Sequence, residues 1–311
     1  MKYGFGIDLG GTTVKLGLFT ENAELLRKWE IPTDTSDGGK NILPDIAEAI
    51  LGELEARGID KGDVLGAGIG VPGPVSDQRV VNNCINLGWG VVDLQASLGA
   101  LLGMPVKAGN DANVAALGES WQGGGKGYSS MVLVTLGTGI GGGIVLNGKI
   151  LEGAHGAAGE IGHMTLDRNE TEPCGCGKFG CAEEYGSATG IVRTARRYLA
   201  SHDIPSPLRE LEAITAKDIF DLAKTGDEAA QGILDRVYDD LGVFLAGVCC
   251  VLDPEVVVIG GGVSKAGQIL LDCIRPYFVK YMFHTGRNIP FALASLGNDA
   301  GIYGAVKMIL N

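Results

Sequence analysis

Cysteine is scarce in this chain, with 7 residues among 311, and an odd number cannot all pair. Small proteins held together by disulfides use far more cysteine per residue. No uninterrupted apolar run reaches the roughly 20 residues that a transmembrane helix needs, and residues 1–11 contain no stretch typical of a signal peptide. These absences argue against a disulfide-rich secreted protein and a membrane-spanning protein, and they predict a cytoplasmic location.

The chain also lacks any dense run of lysine and arginine. Its 25 basic residues stand against 37 acidic ones, which gives a formal net charge of −12. A general nucleic-acid binder needs a basic face to neutralise phosphates. We therefore expect neither nucleic acid nor an anionic membrane as a partner. An anionic small molecule remains possible, because backbone N–H groups and a metal ion can bind it.

Glycine, by contrast, is abundant, with 51 residues, more than twice its usual share of about 7%. Three glycine-rich segments follow strand-like runs, at residues 8–12, 136–143 and 259–263. Such glycines either only close turns or bring the backbone close to a ligand. Both interpretations are open for any one segment taken alone.

The dinucleotide-binding pattern G-x-G-x-x-G occurs at Gly68–Gly73 and Gly137–Gly142. That fingerprint needs a helix to begin at the loop. The first copy is interrupted by Pro72, and the second leads into a strand and an Asn-Gly turn. A Walker sequence is absent too, so neither a Rossmann nor a P-loop fold is expected. Glycine and threonine in a hairpin turn can still surround phosphates with N–H groups.

The order of predicted elements indicates an α/β protein. A strand, a glycine turn and a second strand occur twice, and each set is followed by alternating helices and strands. Residues Ile42, Ile46, Ile50 and Leu54 recur as the stripe of an amphipathic helix. This internal duplication predicts two α/β domains with a cleft between them.

Polar side chains follow two predicted strands. Asp8 ends the first strand, where a carboxylate would be costly unless it held Mg²⁺ through water. Asn110 and Asp111 lie between a strand and a helix, where an amide and a carboxylate could bind sugar hydroxyls. Asp111 could instead merely N-cap its helix.

Three of the seven cysteines crowd into one glycine-bent loop, at Cys174, Cys176 and Cys181, and His163 lies shortly upstream. Three cysteines and one histidine satisfy tetrahedral Zn²⁺ and leave no open position, which predicts a structural metal. The alternative is a set of free cysteines packed in a turn, and His155 is an alternative ligand. The other four cysteines stand among apolar neighbours and are predicted to fill the core: Cys84, Cys249, Cys250 and Cys273.

Taken together, these residues resemble the ROK family of sugar kinases and repressors, which has the actin-like (RNase H-like) fold. The most specific part is Glu160-Ile-Gly-His163 followed by Cys174-x-Cys176-Gly-x-x-Gly-Cys181-x-Glu183. The resemblance spans nearly the whole chain. It implies a smaller domain of residues 1–109 plus 299–311 and a larger, zinc-bearing domain of residues 110–298.

The resemblance also implies a role for each matching residue. Asp111 matches the catalytic base. The sugar ligands would be Gly73, Asn110, Asp111, Glu160, His163 and Glu183. The ATP ligands would be Asp8, Gly10, Gly11, Thr12, Gly137, Thr138, Gly139, Gly261 and Gly262. Lys15 is a further candidate, although many family members carry lysine directly after Gly-Gly-Thr, where this chain has Thr13. The zinc ligands would be His163, Cys174, Cys176 and Cys181.

The expected activity is phosphorylation of a hexose by ATP with Mg²⁺, with glucose the leading candidate, in a homodimer or a dimer of dimers. The alternatives are a kinase for N-acetylmannosamine, N-acetylglucosamine, fructose or allose, and a sugar-binding regulator without catalysis. Family repressors carry a DNA-binding domain ahead of the first phosphate loop. That loop begins here within eight residues of Met1, which favours the kinase.

Overall fold

The computed structural model describes residues 1–310. The strands are β1 (Tyr3–Leu9), β2 (Thr13–Thr20), β3 (Leu25–Pro32), β4 (Val64–Val71), β5 (Val75–Ser76), β6 (Val80–Cys84), β7 (Trp89–Asp93), β8 (Val106–Asn110), β9 (Met131–Leu136), β10 (Ile140–Leu146), β11 (Lys149–Ile150), β12 (Val256–Gly260) and β13 (Phe291–Leu293). The α-helices are α1 (Ile42–Arg57), α2 (Leu94–Leu102), α3 (Asp111–Gln122), α4 (Glu183–Gly186), α5 (Ala188–Ser201), α6 (Ala216–Lys224), α7 (Glu228–Leu252), α8 (Gln268–Tyr281) and α9 (Ala300–Lys307).

The chain forms two compact units. The first contains residues 1–129, 143–159 and 296–311, and the second contains residues 130–142 and 160–295. These units are defined by contacts within the chain. The domain boundaries that the family resemblance implies, at residues 110 and 299, stay a prediction.

The first unit is built on a five-stranded sheet in the order β3-β2-β1-β4-β8. Strands β1, β4 and β8 are parallel, whereas β2 and β3 are antiparallel to their neighbours. The predicted stripe of α1 is buried against this sheet, and Gly58 ends the helix in the left-handed conformation at φ 64°. A small sheet, β5-β6-β7, completes the unit.

Helix α9 lies very close to that sheet, and glycines allow it to do so. A Cβ added to Gly6 of β1 would be 2.0 Å from the Ile302 carbonyl oxygen, and one added to Gly68 of β4 would be 1.8 Å from that of Ala305. Only glycine fits at such separations. The glycine that begins the motif at Gly68–Gly73 therefore serves helix packing rather than a dinucleotide.

The second five-stranded sheet has the order β11-β10-β9-β12-β13. Strands β9, β12 and β13 are parallel, and the Asn147-Gly148 turn joins the antiparallel pair β10 and β11. Both turn residues have positive φ, as the dipeptide predicts. Strand β10 begins at Ile140, inside the glycine-rich segment 136–143, because only residues 137–139 form the turn.

Several other sequence-based expectations need correction. Helices α5 and α6 were not predicted from the sequence. Cys84 and Cys249 are buried as predicted, but Cys250 is exposed and Cys273 only half-buried. Within residues 1–310, no helix is both long and apolar enough to cross a membrane.

Candidate functional site

The end of β8 and the start of α3 hold Asn110 and Asp111 in different ways. The Asn110 side-chain oxygen accepts hydrogen bonds from the Ala112 and Asn113 amides at 3.1 and 3.2 Å, so Asn110 is the N-cap. Asp111 is the exposed first residue of the helix, and its Oδ1 accepts from the Ala112 amide at 2.8 Å. The alternative in which Asp111 is the N-cap is therefore wrong.

The Pro72-Gly73-Pro74 turn lies beside Asn110. The Asn110 side-chain amide donates to the Gly73 carbonyl oxygen at 3.2 Å. Gly73 has φ 135°, a conformation that disfavours other residues. The structure thus brings together the predicted sugar ligands Gly73, Asn110 and Asp111 at the carboxyl ends of β4 and β8.

The first glycine loop joins β1 to β2. The Gly10 amide donates to the Thr13 carbonyl at 3.1 Å, which closes the turn. The hydroxyl of Thr33, the residue after β3, donates to the Gly10 carbonyl at 2.7 Å and so fixes the orientation of that carbonyl. Gly11 and Thr12, at the tip, are exposed. The loop is therefore held at its base and open at its tip, as a phosphate-binding turn requires.

Asp8 has a cationic neighbour. Lys15 faces it across the β1–β2 ladder, with Nζ 3.4 Å from Asp8 Oδ2, and also donates to the Asn298 carbonyl at 3.3 Å. The ammonium group offsets the cost of placing the carboxylate there. Lys15 therefore gives a second reason for a carboxylate at this position, and the role of Asp8 in holding Mg²⁺ stays a prediction.

The second glycine loop, residues 137–139, is a tight turn between β9 and β10. The Gly137 amide donates to the Gly139 carbonyl at 3.0 Å, inside the loop. The start of α5 also contacts the loop, because the Ala188 amide donates to the Gly137 carbonyl at 2.8 Å. No helix begins at the loop, as expected from the failed dinucleotide pattern.

The third glycine segment follows β12. Gly261 has φ 84°, and a Cβ there would be 2.5 Å from the Leu136 carbonyl oxygen at the end of β9. Gly262 lines a cavity of about 460 Å³ that helix α6 also lines. The other lining residues include Ala188, Thr215, Phe220, Val263 and Lys265.

Sequence reasoning missed the α6 contribution to this cavity. A signal was available, because Thr215 and Asp218 form a capping box, with mutual side-chain to backbone hydrogen bonds at the start of the helix. Ile219 and Phe220, directly after it, are buried.

The cysteine loop and His163 form one compact cluster. One possible ligand atom from each of His163, Cys174, Cys176 and Cys181 lies within 4.8 Å of all the others. Cys176 Sγ is 3.6 Å from Cys181 Sγ, and Cys174 Sγ is 3.8 Å from His163 Nδ1. The clustered histidine is His163 rather than His155.

These separations fit a tetrahedral zinc site. Zinc–sulfur bonds of about 2.3 Å and zinc–nitrogen bonds of about 2.0 Å place two sulfurs roughly 3.8 Å apart, and a sulfur and a nitrogen roughly 3.5 Å apart. Burial raises the pKa of the Cys174 and Cys181 thiols, whereas the Lys178 backbone amide lowers the pKa of Cys176. The donor set and its spacing are therefore compatible with zinc.

Glu183, the first residue of α4, lies against this cluster. Its Oε1 accepts from the Cys174 thiol at 2.9 Å and is 3.3 Å from His163 Nδ1. Its Oε2 would be 2.5 Å from a Cβ on Gly139. Glu160 is exposed and precedes the one-turn 3₁₀ helix that carries His163. Glu183 thus lies between the cysteine cluster and the second glycine loop.

An ionic network ties the cysteine loop to α5. Arg193 contacts Glu184 at 2.7 Å and Glu170 at 2.5 Å, and Arg197 donates to Glu170 at 2.8 Å. The Glu170 side chain is only 3% exposed. The hydrogen bond from Arg197 is the main reason that the pKa of Glu170 lies well below its ordinary value.

Known proteins resemble this chain over nearly all of its length. A glucokinase of Halalkalibacterium halodurans is 43% identical over 96% of this chain and 92% of that protein. A glucokinase of Thermotoga maritima is 39% identical over 98% and 96%. The crystal structure of a ROK family glucokinase from Streptomyces griseus, in complex with glucose and AMPPNP, is 32% identical, covers 99% of both chains and has a TM-score of 0.72.

The sequence matches the ROK family over residues 4–311. The α/β fold with two mixed sheets and the relatives at 39% and 43% identity agree with that match. This chain belongs to the ROK family.

Proposed function

We propose that this protein is a glucokinase, which transfers the γ-phosphoryl group of ATP to the 6-hydroxyl of glucose. The carrying observation is the exposed Asp111 carboxylate at the start of α3, beside the Asn110 amide that the cap fixes in place. The similarity to glucokinases over nearly the whole chain supports glucose as the substrate.

In the proposed reaction, the Asp111 carboxylate accepts the proton of the sugar hydroxyl. The oxygen forms a bond to the γ-phosphorus of MgATP while the bond from that phosphorus to the bridging oxygen breaks, and ADP leaves. The α3 N-terminus favours a negative charge near Asp111. A carboxylate on a rigid helix end is suited to this task because a general base must be held within hydrogen-bond reach of its proton.

We assign Gly73, Asn110, Asp111, Glu160, His163 and Glu183 to sugar binding. The amide and the carboxylates can bond the hydroxyls of a neutral sugar. His163 turns Nδ1 toward the cysteines, which leaves Nε2 for a sugar hydroxyl.

For the nucleotide, we assign Gly10, Gly11, Thr12 and Lys15, and the loop Gly137-Thr138-Gly139, to the phosphates. Asp8 would hold the accompanying Mg²⁺ through water. The 460 Å³ cavity beside Gly261 and Gly262 is the proposed adenosine pocket, since it is large enough for a nucleoside and Phe220 offers an aromatic wall.

We further propose that His163, Cys174, Cys176 and Cys181 hold one structural Zn²⁺. Four protein ligands would leave no position for water, so the ion would stabilise the loop and hold the nearby Glu183 and His163 in place. The proposed assembly is a homodimer, or a dimer of dimers, in the cytoplasm, with glucose phosphorylation feeding glycolysis.

A coupled ADP-release assay over a panel of hexoses tests the proposal. We expect the highest kcat/KM for glucose, above the values for N-acetylglucosamine, N-acetylmannosamine, fructose and allose. A higher value for another sugar would replace glucose as substrate. Sugar binding without ADP release from any sugar would favour the non-catalytic regulator instead.

A further inference from the structure

The start of α5 makes two consecutive contacts with the second glycine loop. The Ala188 amide donates to the Gly137 carbonyl at 2.8 Å, and the Thr189 hydroxyl donates to the Thr138 carbonyl at 2.6 Å. Two successive carbonyls of the loop are therefore held by two successive residues of one helix. The second contact comes from a side chain, so a substitution can remove it without breaking the backbone.

The direction of the hydrogen bonds at Thr189 follows from counting hydrogens. A carbonyl can only accept, so the single Thr189 hydroxyl hydrogen goes to Thr138. Ser187 Oγ, 3.0 Å from Thr189 Oγ1, must then donate to Thr189, while it accepts from the Gly190 amide at 3.0 Å. The result is a series of hydrogen bonds in which Gly190 donates to Ser187, Ser187 to Thr189, and Thr189 to Thr138. Ser187, in the middle of this series, is completely buried.

Holding these carbonyls also directs the amides of the loop. In a trans peptide unit the C=O of one residue and the N–H of the next point in opposite directions. With its carbonyls turned toward α5, the loop presents the Thr138 and Gly139 N–H groups on the side facing away from α5. Two successive N–H groups on one side form a site for an anion.

We propose that Thr189 is a positioning residue for ATP binding, which holds the Thr138 carbonyl so that the Gly139 N–H faces the phosphates. This inference deepens the proposed function and rests on its assignment of the loop at residues 137–139 to phosphate binding. Helix capping does not explain the contact, because Ser187 is the N-cap of α5 and already satisfies the Gly190 amide. The exposed Thr189 hydroxyl serves the loop instead.

The test uses the full chain and calorimetric titration with MgATP. We expect Thr189→Val, which keeps the shape but removes the hydroxyl, to weaken MgATP binding by roughly 3- to 10-fold, the effect of one neutral hydrogen bond. Thr189→Ser should restore binding to within twofold. Adenosine, which has no phosphate, should bind all variants equally, and KM for glucose should not change.

Thr194→Val is the matched control, because it makes the same chemical change in the interior of α5, about 1.4 helix turns beyond Thr189. We expect it to leave MgATP binding unchanged. Unchanged MgATP binding in Thr189→Val would overturn the inference, and so would an equal loss of adenosine binding, which would indicate a general structural role. Failure of Thr189→Ser to restore binding would overturn it as well.

Failure of the proposed kinase function can be distinguished from failure of the Thr189 inference. A wild-type chain that binds MgATP but phosphorylates no hexose would refute the kinase and leave the Thr189 result valid. A wild-type chain that does not bind MgATP would overturn the Thr189 inference, because the loop would then not be a phosphate site.

Discussion

Asn110 and Asp111 are adjacent, but the fold gives them different tasks. Both Asn110 polar groups are engaged, the oxygen with two amides of α3 and the nitrogen with Gly73. Asp111 is exposed on the first turn of the same helix. A rigid amide thus stands beside an accessible carboxylate, which is the arrangement expected for one residue that orients a substrate and one that accepts its proton.

Replacing Asp111 tests its role as the base. Asp111→Asn keeps the shape and a side-chain oxygen for the Ala112 amide but removes the basic carboxylate. We expect kcat to fall by about 10²- to 10⁴-fold, the usual contribution of a general base, with little change in glucose affinity. Coupled ADP release and glucose titration measure the two quantities. The exposed Asp203→Asn is the control, and retention of more than half of kcat in Asp111→Asn would refute the assignment.

Replacing Cys176 tests the metal. If zinc is bound by four protein ligands, Cys176→Ala should lower zinc content from about one per chain and lower the melting temperature. KM for glucose should rise because Glu183 and His163 belong to the same cluster. KM for ATP should change less, because α5 holds the second glycine loop through Ala188 and Thr189.

Elemental analysis and kinetics measure these effects, with the exposed Cys250→Ala as the control. Wild-type protein without zinc would refute the metal site. A zinc-free Cys176→Ala protein with normal sugar kinetics would refute its influence on the substrate.

At the scale of elements, glycines determine how closely helices approach their neighbours. A Cβ on Gly304 of α9 would be 1.7 Å from the Val114 carbonyl oxygen of α3, and one on Gly118 of α3 would be 2.2 Å from that of Ala300. Helices α3 and α9 therefore touch backbone to backbone. Much of the excess of glycine in this chain serves such packing rather than ligand contact.

A pair of alanine substitutions tests this packing. Gly304→Ala should lower the melting temperature strongly, because the two backbones must move apart. Gly52→Ala, in the exposed middle of α1 with open space around it, should stabilise the protein by roughly 0.5–1 kcal/mol through helix propensity. Thermal unfolding measures both. Equal effects of the two substitutions would contradict the packing argument.

The ionic network between the cysteine loop and α5 should make stability depend on pH. The pKa of Glu170 is lowered in the folded protein, mainly by Arg197. Its contribution is therefore full above the ordinary glutamate pKa of about 4.5 and is lost as the pH falls through the lower folded value. Glu170→Gln should melt below the wild type at pH 7, and the difference should shrink toward pH 3.

Melting curves from pH 7 to pH 3 check this expectation. Glu212→Gln, at an exposed position, is the control and should follow the wild type throughout. A difference between Glu170→Gln and wild type that stayed constant with pH would show that the loss is steric rather than ionic.

For the whole molecule, the sequence allowed the fold class and most elements to be predicted from local patterns. The predicted stripe of Ile42, Ile46, Ile50 and Leu54 is buried on α1, and the predicted order of strand, glycine turn and strand occurs at β1–β2 and at β9–β10. Helices α5 and α6 were missed. Helix α5 contains six arginine, serine and threonine residues, and its buried positions are Gly190, Ile191 and Ala195, so its apolar stripe is short.

The sequence by itself determined the features whose parts are close in the chain. The three cysteines lie within eight residues, so local chain geometry alone brings them near each other. A single antiparallel β-bridge between Thr165 and Cys181 brings His163 next to these cysteines. Asn110 and Asp111 are adjacent, and the strand and helix around them have strong periodic signals.

Only the tertiary structure decided which distant segments meet. Lys15 neutralises Asp8 because β2 pairs with β1, Thr189 reaches Thr138 across 51 residues, and α6 lines the cavity beside Gly262. Hydrophobic periodicity records which side of an element is buried, but it carries no information about the partner that buries it. A single hydrogen bond between remote loops produces no repeating pattern in the sequence, because it depends on how complete elements pack.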